Sequence, residues 1–152
     1  MQADTCRLSI LVKWNSIALV SCLLGSVGCG NGLSSVNGTV TLDGAPLAGG
    51  SGVDASVGFY PDGQPGAPGI GYLDSNGHYK LMVGSQEGIA PGKYAVAISA
   101  TKIIMPKEKT GTPGGVPITP RKYADSRQSG FRADVQSGSN TFDFDLSSKP
   151  AK

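Results

Sequence analysis

Val36-Asn37-Gly38-Thr39-Val40-Thr41-Leu42 reads as a β-strand with one buried face. Val36, Gly38, Val40 and Leu42 share one phase, and Asn37, Thr39 and Thr41 share the other. That period of two is what a half-buried strand imposes. Asp43-Gly44 follows, a dipeptide suited to a two-residue hairpin turn. The alternation recurs downstream. Ala55, Val57 and Phe59 form a second apolar set, residues 70–73 a short third strand, and Tyr79, Leu81 and Val83 the inward set of a fourth. Tyr94, Val96, Ile98 and Ala100 alternate with Ala95, Ala97, Ser99 and Thr101. Phe131, Ala133 and Val135 alternate with Arg132, Asp134 and Gln136, and Phe142, Phe144 and Leu146 with Thr141, Asp143 and Asp145. Turn clusters separate these runs at Asp74-Ser75-Asn76-Gly77, Pro91-Gly92 and Ser137-Gly138-Ser139-Asn140.

Seven strands with one apolar face each can bury those faces only against a second sheet. Strict alternation favours antiparallel pairing, because parallel strands are usually apolar on both faces. The expected fold is therefore all-β, a seven-stranded antiparallel β-sandwich. Tyr79, Leu81, Tyr94, Val96, Ile98, Phe131, Val135, Phe142 and Phe144 are expected to face inward. Gly and Pro account for 23 and 10 of the 152 residues, well above the usual share of about 12% together, which implies many turns. Outside the N-terminal region, no window keeps helical apolar spacing without a Gly or Pro, so helix is nearly excluded. Residues 49–54 and 62–69 read as loops. Residues 103–120 have no strand period, carry Pro106, Pro113, Pro117 and Pro120, and read as one long loop rich in basic residues.

The N-terminus has a different character. Residues 1–13 carry Arg7 and Lys13 against Asp4, and residues 14–28 are mostly apolar. At about 15 residues the apolar run suits a secretory signal and falls short of the roughly 20 needed to span a bilayer. Cys29 ends the run, and the Gly/Asn/Ser-rich stretch Gly30-Asn31-Gly32 with Ser34 and Ser35 follows it. This arrangement resembles a bacterial lipoprotein signal peptide, in which a cysteine thiol is lipidated and the chain is cut before it. Cys22, after Leu19-Val20-Ser21, fits the residue pattern before the cut more closely. However, it leaves a short apolar core and puts Leu23 and Leu24 in the spacer. Cys29 is the expected lipidation site, with Cys22 as the alternative. The expected organisation is a signal peptide at 1–28, a flexible tether at 29–35 and a β-sandwich domain at 36–148.

Removing residues 1–28 from the 152 leaves 124, one domain's worth. The three cysteines are Cys6, Cys22 and Cys29, so the domain itself has no disulfide and must be held by its core. The whole chain carries a formal charge of +2, and no basic surplus points to nucleic acid.

Val36-Asn37-Gly38-Thr39-Val40-Thr41-Leu42-Asp43-Gly44-Ala45-Pro46-Leu47 resembles the opening strand and hairpin of carboxypeptidase regulatory-like domains. Asp74-x-Asn76-Gly77-x-Tyr79 and Pro91-Gly92-Lys93-Tyr94 resemble later signatures of that family. Lys122-Tyr123-Ala124-Asp125 and Asn140-Thr141-Phe142-Asp143-Phe144-Asp145-Leu146 resemble a lipoprotein branch of it. The resemblance implies a transthyretin-like, Greek-key sandwich and no catalytic activity. An enzyme known on such a fold, a urate-pathway hydrolase, uses a set of histidines and an arginine, whereas this chain has one histidine, His78.

No residue set supplies obvious chemistry. His78 alone, without a second histidine or a free cysteine, builds no closed metal site. Asp74-Ser75-Asn76-Gly77 places its glycine too early for a calcium loop and reads as a turn. Asp143 and Asp145 share a strand face and read as a solvated edge rather than a carboxylate pair. No cofactor is expected. Tyr60, Tyr72 and Tyr123 sit near loops and are the candidate ligand contacts, since exposed tyrosines can stack on sugars or dock a protein. The expectation is an exported protein held at a membrane of the cell envelope by an N-terminal lipid (a fatty acyl group such as palmitate). There it would act as a non-enzymatic structural or interaction module with an envelope protein or polysaccharide as partner. A carbohydrate- or peptide-binding module is the alternative, and a cryptic hydrolase a distant third. Aromatics aligned on one sheet face would favour the binding module, and a polar cleft at His78 the hydrolase.

Overall fold

The computed structural model describes residues 32–106 and 114–149. The leader, Cys22 and Cys29, and residues 107–113 of the expected loop lie outside the described residues. The described chain is all-β apart from one helical turn. Its strands in order are β1 (Ser35–Leu42), β2 (Ala45–Pro46), β3 (Val53–Pro61), β4 (Gly69–Tyr72), β5 (His78–Lys80), β6 (Met82–Val83), β7 (Gln86–Glu87), β8 (Gly92–Ile104) and β9 (Gly114–Pro117). The turn α1 (Arg121–Ala124) precedes β10 (Arg132–Val135), β11 (Ser139–Thr141) and β12 (Phe144–Leu146).

Two sheets enclose the core. In the smaller one β1 is central. Asn37 pairs with Thr141 of β11 and with Lys80 of β5, and Thr41 pairs with Asp145 of β12 and with Pro46 of β2. The C-terminal strands therefore line one edge of β1, and β5 and β2 line the other. The larger sheet runs β10-β8-β3-β4-β6-β7, with β9 beside β10 on the same edge of β8. Asp43 and Gly44 both have positive φ, 52° and 81°, which closes the β1–β2 hairpin at the expected dipeptide.

Phe59 of the larger sheet is fully buried at the centre, its ring 5.9–6.4 Å from the rings of Tyr79, Tyr94, Phe142 and Phe144. Val40, Val57, Leu81, Val96 and Ile98 complete the layer between the sheets. Two buried tyrosines turn their hydroxyls to backbone. Tyr79 donates to Phe142 O at 2.8 Å and Tyr94 to Ala90 O at 2.8 Å. Burial, with the Asp143 charge second, pushes the Tyr79 hydroxyl well above its usual range, so it stays a donor. Among the expected inward residues, Phe131 and Phe142 are half-buried against this core and the rest are buried.

The structure corrects several expectations. The described strands are twelve segments rather than seven, because the expected fourth strand is split into β5 and β6 and because β2, β7, β9 and β11 are added. Pairing is not purely antiparallel, since β1 pairs in parallel with both β11 and β12. These strands keep a solvent-facing side, so their alternation persists despite the parallel pairing. The segment 103–120 is not one loop. β8 continues to Ile104, and Gly114–Pro117 pairs with it as β9, with Lys102 opposite Val116. β9 is an edge strand, where a proline is tolerated and no apolar alternation is required. Helix, nearly excluded by the sequence, is confined among the described residues to the single turn Arg121–Ala124. Ser34 and Ser35, expected in the tether, belong to the folded domain. Ser34 is buried, donates its N–H to Ile89 O at 2.7 Å and accepts from Ile89 N at 2.9 Å, and β1 begins at Ser35.

Candidate surface on the larger sheet

The outer face of the larger sheet gathers the exposed aromatics. Along β3 the inward phase is Ala55, Val57 and Phe59, which leaves Ser56, Gly58 and Tyr60 outward. Along β8 the outward phase is Ala95, Ala97 and Ser99, and these pair with Tyr60, Gly58 and Ser56 respectively. β4 has its glycines inside. A Cβ on Gly69 would run into the Ile89 side chain, and one on Gly71 would stand 2.7 Å from Lys80 O. The packing between the sheets is too close there for a side chain, so Ile70 and Tyr72 are forced outward. Ile70 pairs with Met82, extending the apolar row onto β6.

Tyr60 is 41% exposed, Tyr72 72% and Met82 41%. By strand geometry the Cα atoms of Tyr60 and Tyr72 lie about 14 Å apart, four residues along the strand and one strand across. The Tyr60 ring lies down on Gly58, where an added Cβ would stand 2.8 Å from its Cε2. The tip of the ring therefore overlies bare backbone. The floor around it is Gly58, Ala95 and Ala97, small residues that are themselves buried.

Two shallow depressions flank this floor. One, of about 450 Å³, is lined by Pro68, Ile70, Tyr72, Lys80, Met82 and Gly84. The other, of about 410 Å³, is lined by Asp62, Lys93, Tyr94, Arg132, Ala133 and Asp134. An ion pair edges each. Lys80 Nζ is 3.0 Å from Glu87 Oε1, and Arg132 Nε is 3.4 Å from Asp62 Oδ2. Beside Tyr72, the Ser56 and Ser99 hydroxyls are 3.5 Å apart.

Of the three tyrosines singled out in the sequence, Tyr60 and Tyr72 come together on this face. Tyr123 does not. It is 6% exposed, stacks on Phe131 at 5.5 Å between ring centroids, and its hydroxyl accepts from Ser147 N at 3.2 Å. It is a core residue of the α1 turn, and its candidacy as a ligand contact is withdrawn. Ile70, Met82 and the Lys80–Glu87 pair were not anticipated. The signal was in Gly69-Ile70-Gly71-Tyr72, whose large residues share one phase and whose glycines share the other.

A polar depression of about 380 Å³ does surround His78, with Asn37, Thr39, Lys80, Thr141 and Asp143 among its lining residues. Thr39 Oγ1 is 3.2 Å from His78 Nδ1. Asp143 Oδ1 instead accepts the Thr39 backbone N–H at 2.7 Å, filling the gap in the ladder between β11 and β12. Asp145 Oδ1 accepts the Thr41 hydroxyl at 2.7 Å. Both carboxylates knit the C-terminal strands to β1, and among the described residues no carboxylate orients the His78 ring. That leaves a hydroxyl–imidazole contact without the third group that a nucleophile–base pair needs. Among the described residues, no group of three or more His, Cys, Asp or Glu is placed to hold a metal ion. A second exposed apolar cluster, Ile103, Ile104, Met105, Val116 and Ile118, lies at the far end of the β8–β9 hairpin, next to residues 107–113, which are not described.

No protein-family model matches the chain, and no curated protein matches it. Among solved structures, the 9R-lipoxygenase from Cyanothece PCC8801 matches at 14% identity with a TM-score of 0.35, over 76% of this chain and 16% of that one.

Proposed function

We propose that the protein is a lipid-anchored, non-enzymatic module of a bacterial cell envelope that presents the outer face of its larger sheet as a binding surface. The shared face of Tyr60, Ile70, Tyr72 and Met82 is the observation that supports this most, since exposed apolar patches mark interaction sites. The basic and apolar leader ending at Cys29 supports the anchor. Five residue steps join Cys29 to the buried Ser34, so the domain would sit within about 17 Å of its lipid. The proposal extends to the finer fold type, a transthyretin-like Greek key of the carboxypeptidase regulatory-like kind. The Asp43-Gly44 and Asp74–Gly77 turns and the Pro91-Gly92-Lys93-Tyr94 entry into β8 support that assignment. The alignment of Tyr60 and Tyr72 favours ligand binding over a purely structural role. The missing orienting group at His78 argues against a hydrolase.

Fatty-acid labelling in a bacterial host tests the anchor. Wild type is expected in the membrane fraction carrying label, and Cys29→Ser is expected to lose both. Label kept by Cys29→Ser but lost by Cys22→Ser would move the anchor to Cys22, and an unlabelled, soluble wild type would overturn it.

A further inference from the structure

We propose that the outer face of the larger sheet binds an uncharged, linear polysaccharide, whose sugar rings stack on Tyr60 and Tyr72. This rests on the reading of the protein as a surface-presenting module and names what that surface takes. Four observations select the ligand.

The first is shape. Gly58, Ala95 and Ala97 beside Tyr60 are all small, and the tip of the Tyr60 ring overlies Gly58 while the residue stays 41% exposed. A flat aromatic platform matches the C–H face of a pyranose. It offers no deep pocket for a side-chain anchor of the kind that dominates protein interfaces.

The second is size. From β10 to β6 the face spans four strand spacings, about 19 Å, and from the Tyr60 level to the Tyr72 level about 13 Å. The resulting area of roughly 250 Å² is about a third of the ~800 Å² that each partner buries in a stable protein complex. It suits a few consecutive sugars running nearly along the strands from Tyr60 to Tyr72.

The third is charge. Lys80, Lys93 and Arg132 face Glu87, Asp62 and Asp134 around the two depressions, three cations against three anions. A balanced rim neither attracts a polyanion nor repels one. It does supply donors and acceptors for hydroxyl groups, as do Ser56 and Ser99 beside Tyr72.

The fourth is backbone chemistry. An extended peptide usually binds by adding a strand to a free sheet edge. The strands under this floor, β8, β3 and β4, have their backbone groups paired to neighbours over the Tyr60–Tyr72 stretch. The face offers side chains only, which suits a sugar chain better than a peptide.

The test uses the full-length protein in detergent and isothermal titration with neutral linear hexasaccharides (β-1,4-glucan, β-1,3-glucan and β-1,4-mannan). Dextran sulfate serves as the polyanion, and each ligand is titrated at low and high salt. At least one neutral hexasaccharide is expected to bind with little salt dependence. Tyr72→Ala and Tyr60→Ala should each weaken binding at least tenfold, whereas Tyr72→Phe should stay within about threefold. Gly58→Val should also weaken binding, by lifting the Tyr60 ring off the floor. Melting curves identify any variant that loses its fold, and Tyr72, being mostly exposed, is the variant whose fold is least at risk. Binding by none of the neutral sugars at millimolar concentration, binding of dextran sulfate alone, or sugar binding untouched by both Tyr→Ala changes would overturn the inference. A reducing-end assay on the same mixtures separates the two layers. Binding without new reducing ends upholds both. Binding with new reducing ends upholds the ligand and overturns the non-enzymatic module. A failure to bind by a correctly lipidated protein overturns the ligand alone.

Discussion

Gly38 and Gly58 lie on opposite sheets and lack a side chain for different reasons. A Cβ on Gly38 would overlap the Phe142 carbonyl, which is backbone and cannot step aside. A Cβ on Gly58 would meet only the far edge of the Tyr60 ring, which can swing away. Gly38→Ala is therefore expected to cost about 1–3 kcal/mol as an over-packed site, and Gly58→Ala less than about 1 kcal/mol. Urea midpoints of the two variants check this, and equal losses would contradict it. Phe59→Ala, at the centre of four aromatic neighbours, should cost about 3–5 kcal/mol. Asp74 gives a pH prediction. The backbone N–H of His78 first, and that of Asn76 next, hold its carboxyl below the ordinary range. A folded pKa below the unfolded one contributes stability that is present above about pH 4 and lost as pH falls through the folded value. Asp74→Ala should flatten the fall in stability below pH 4, and an unchanged acid limb would contradict the role given to the turn. These side chains show what can be read from a sequence and what cannot. Phe59 and Val40 were legible because alternation alone fixes their phase. Tyr123 was not, because its burial depends on a single helical turn folding back over Phe131.

Among the elements, β8 is the longest strand and organises the larger sheet. Over its first half it is flanked by β10 and β3, and over its second half by β9 and β3. The glycines and prolines of residues 103–120 hid this arrangement, since β9 is held by pairing to β8 and not by a pattern of its own. The backbone N–H of Ile103 donates to Gly52 O at 2.7 Å and that of Ile118 to Ala100 O at 2.8 Å. Both amides are expected to exchange with solvent far more slowly than exposed loop amides. Rapid exchange at both would restore the single-loop reading. The parallel edge was likewise illegible, because parallel pairing of β1 with β11 and β12 depends on where the last strands return, and alternation is blind to direction. On the outer face of the larger sheet, Tyr60 and Tyr72 were named from the sequence for their position near loops. Their common face follows from the β3–β4 register, which pairs Ser56 with Tyr72 and Gly58 with Ile70.

At the scale of the molecule, the described domain has two poles. The chain enters at Ser34, beside Ile89, and the β8–β9 hairpin extends past the opposite end, where Ile103 meets Gly52. All three cysteines precede Ser34, so the core alone holds the sheets together. A thiol reductant should leave the thermal midpoint of the folded domain unchanged, and a fall of several degrees would contradict that account. Under the proposed lipid anchor, the choice of cysteine would set how the domain stands. From Cys29 the chain reaches Ser34 in five steps, or about 17 Å, and from Cys22 in twelve, or about 42 Å. The first would hold the domain against the membrane and the second would let it range. The most direct measurement is mass spectrometry of the mature N-terminal peptide from protein purified out of its membrane. The account predicts a chain beginning at Cys29 with an acylated glyceryl group on its thiol. A chain that begins at Met1, or a mature N-terminal cysteine without lipid, would contradict it.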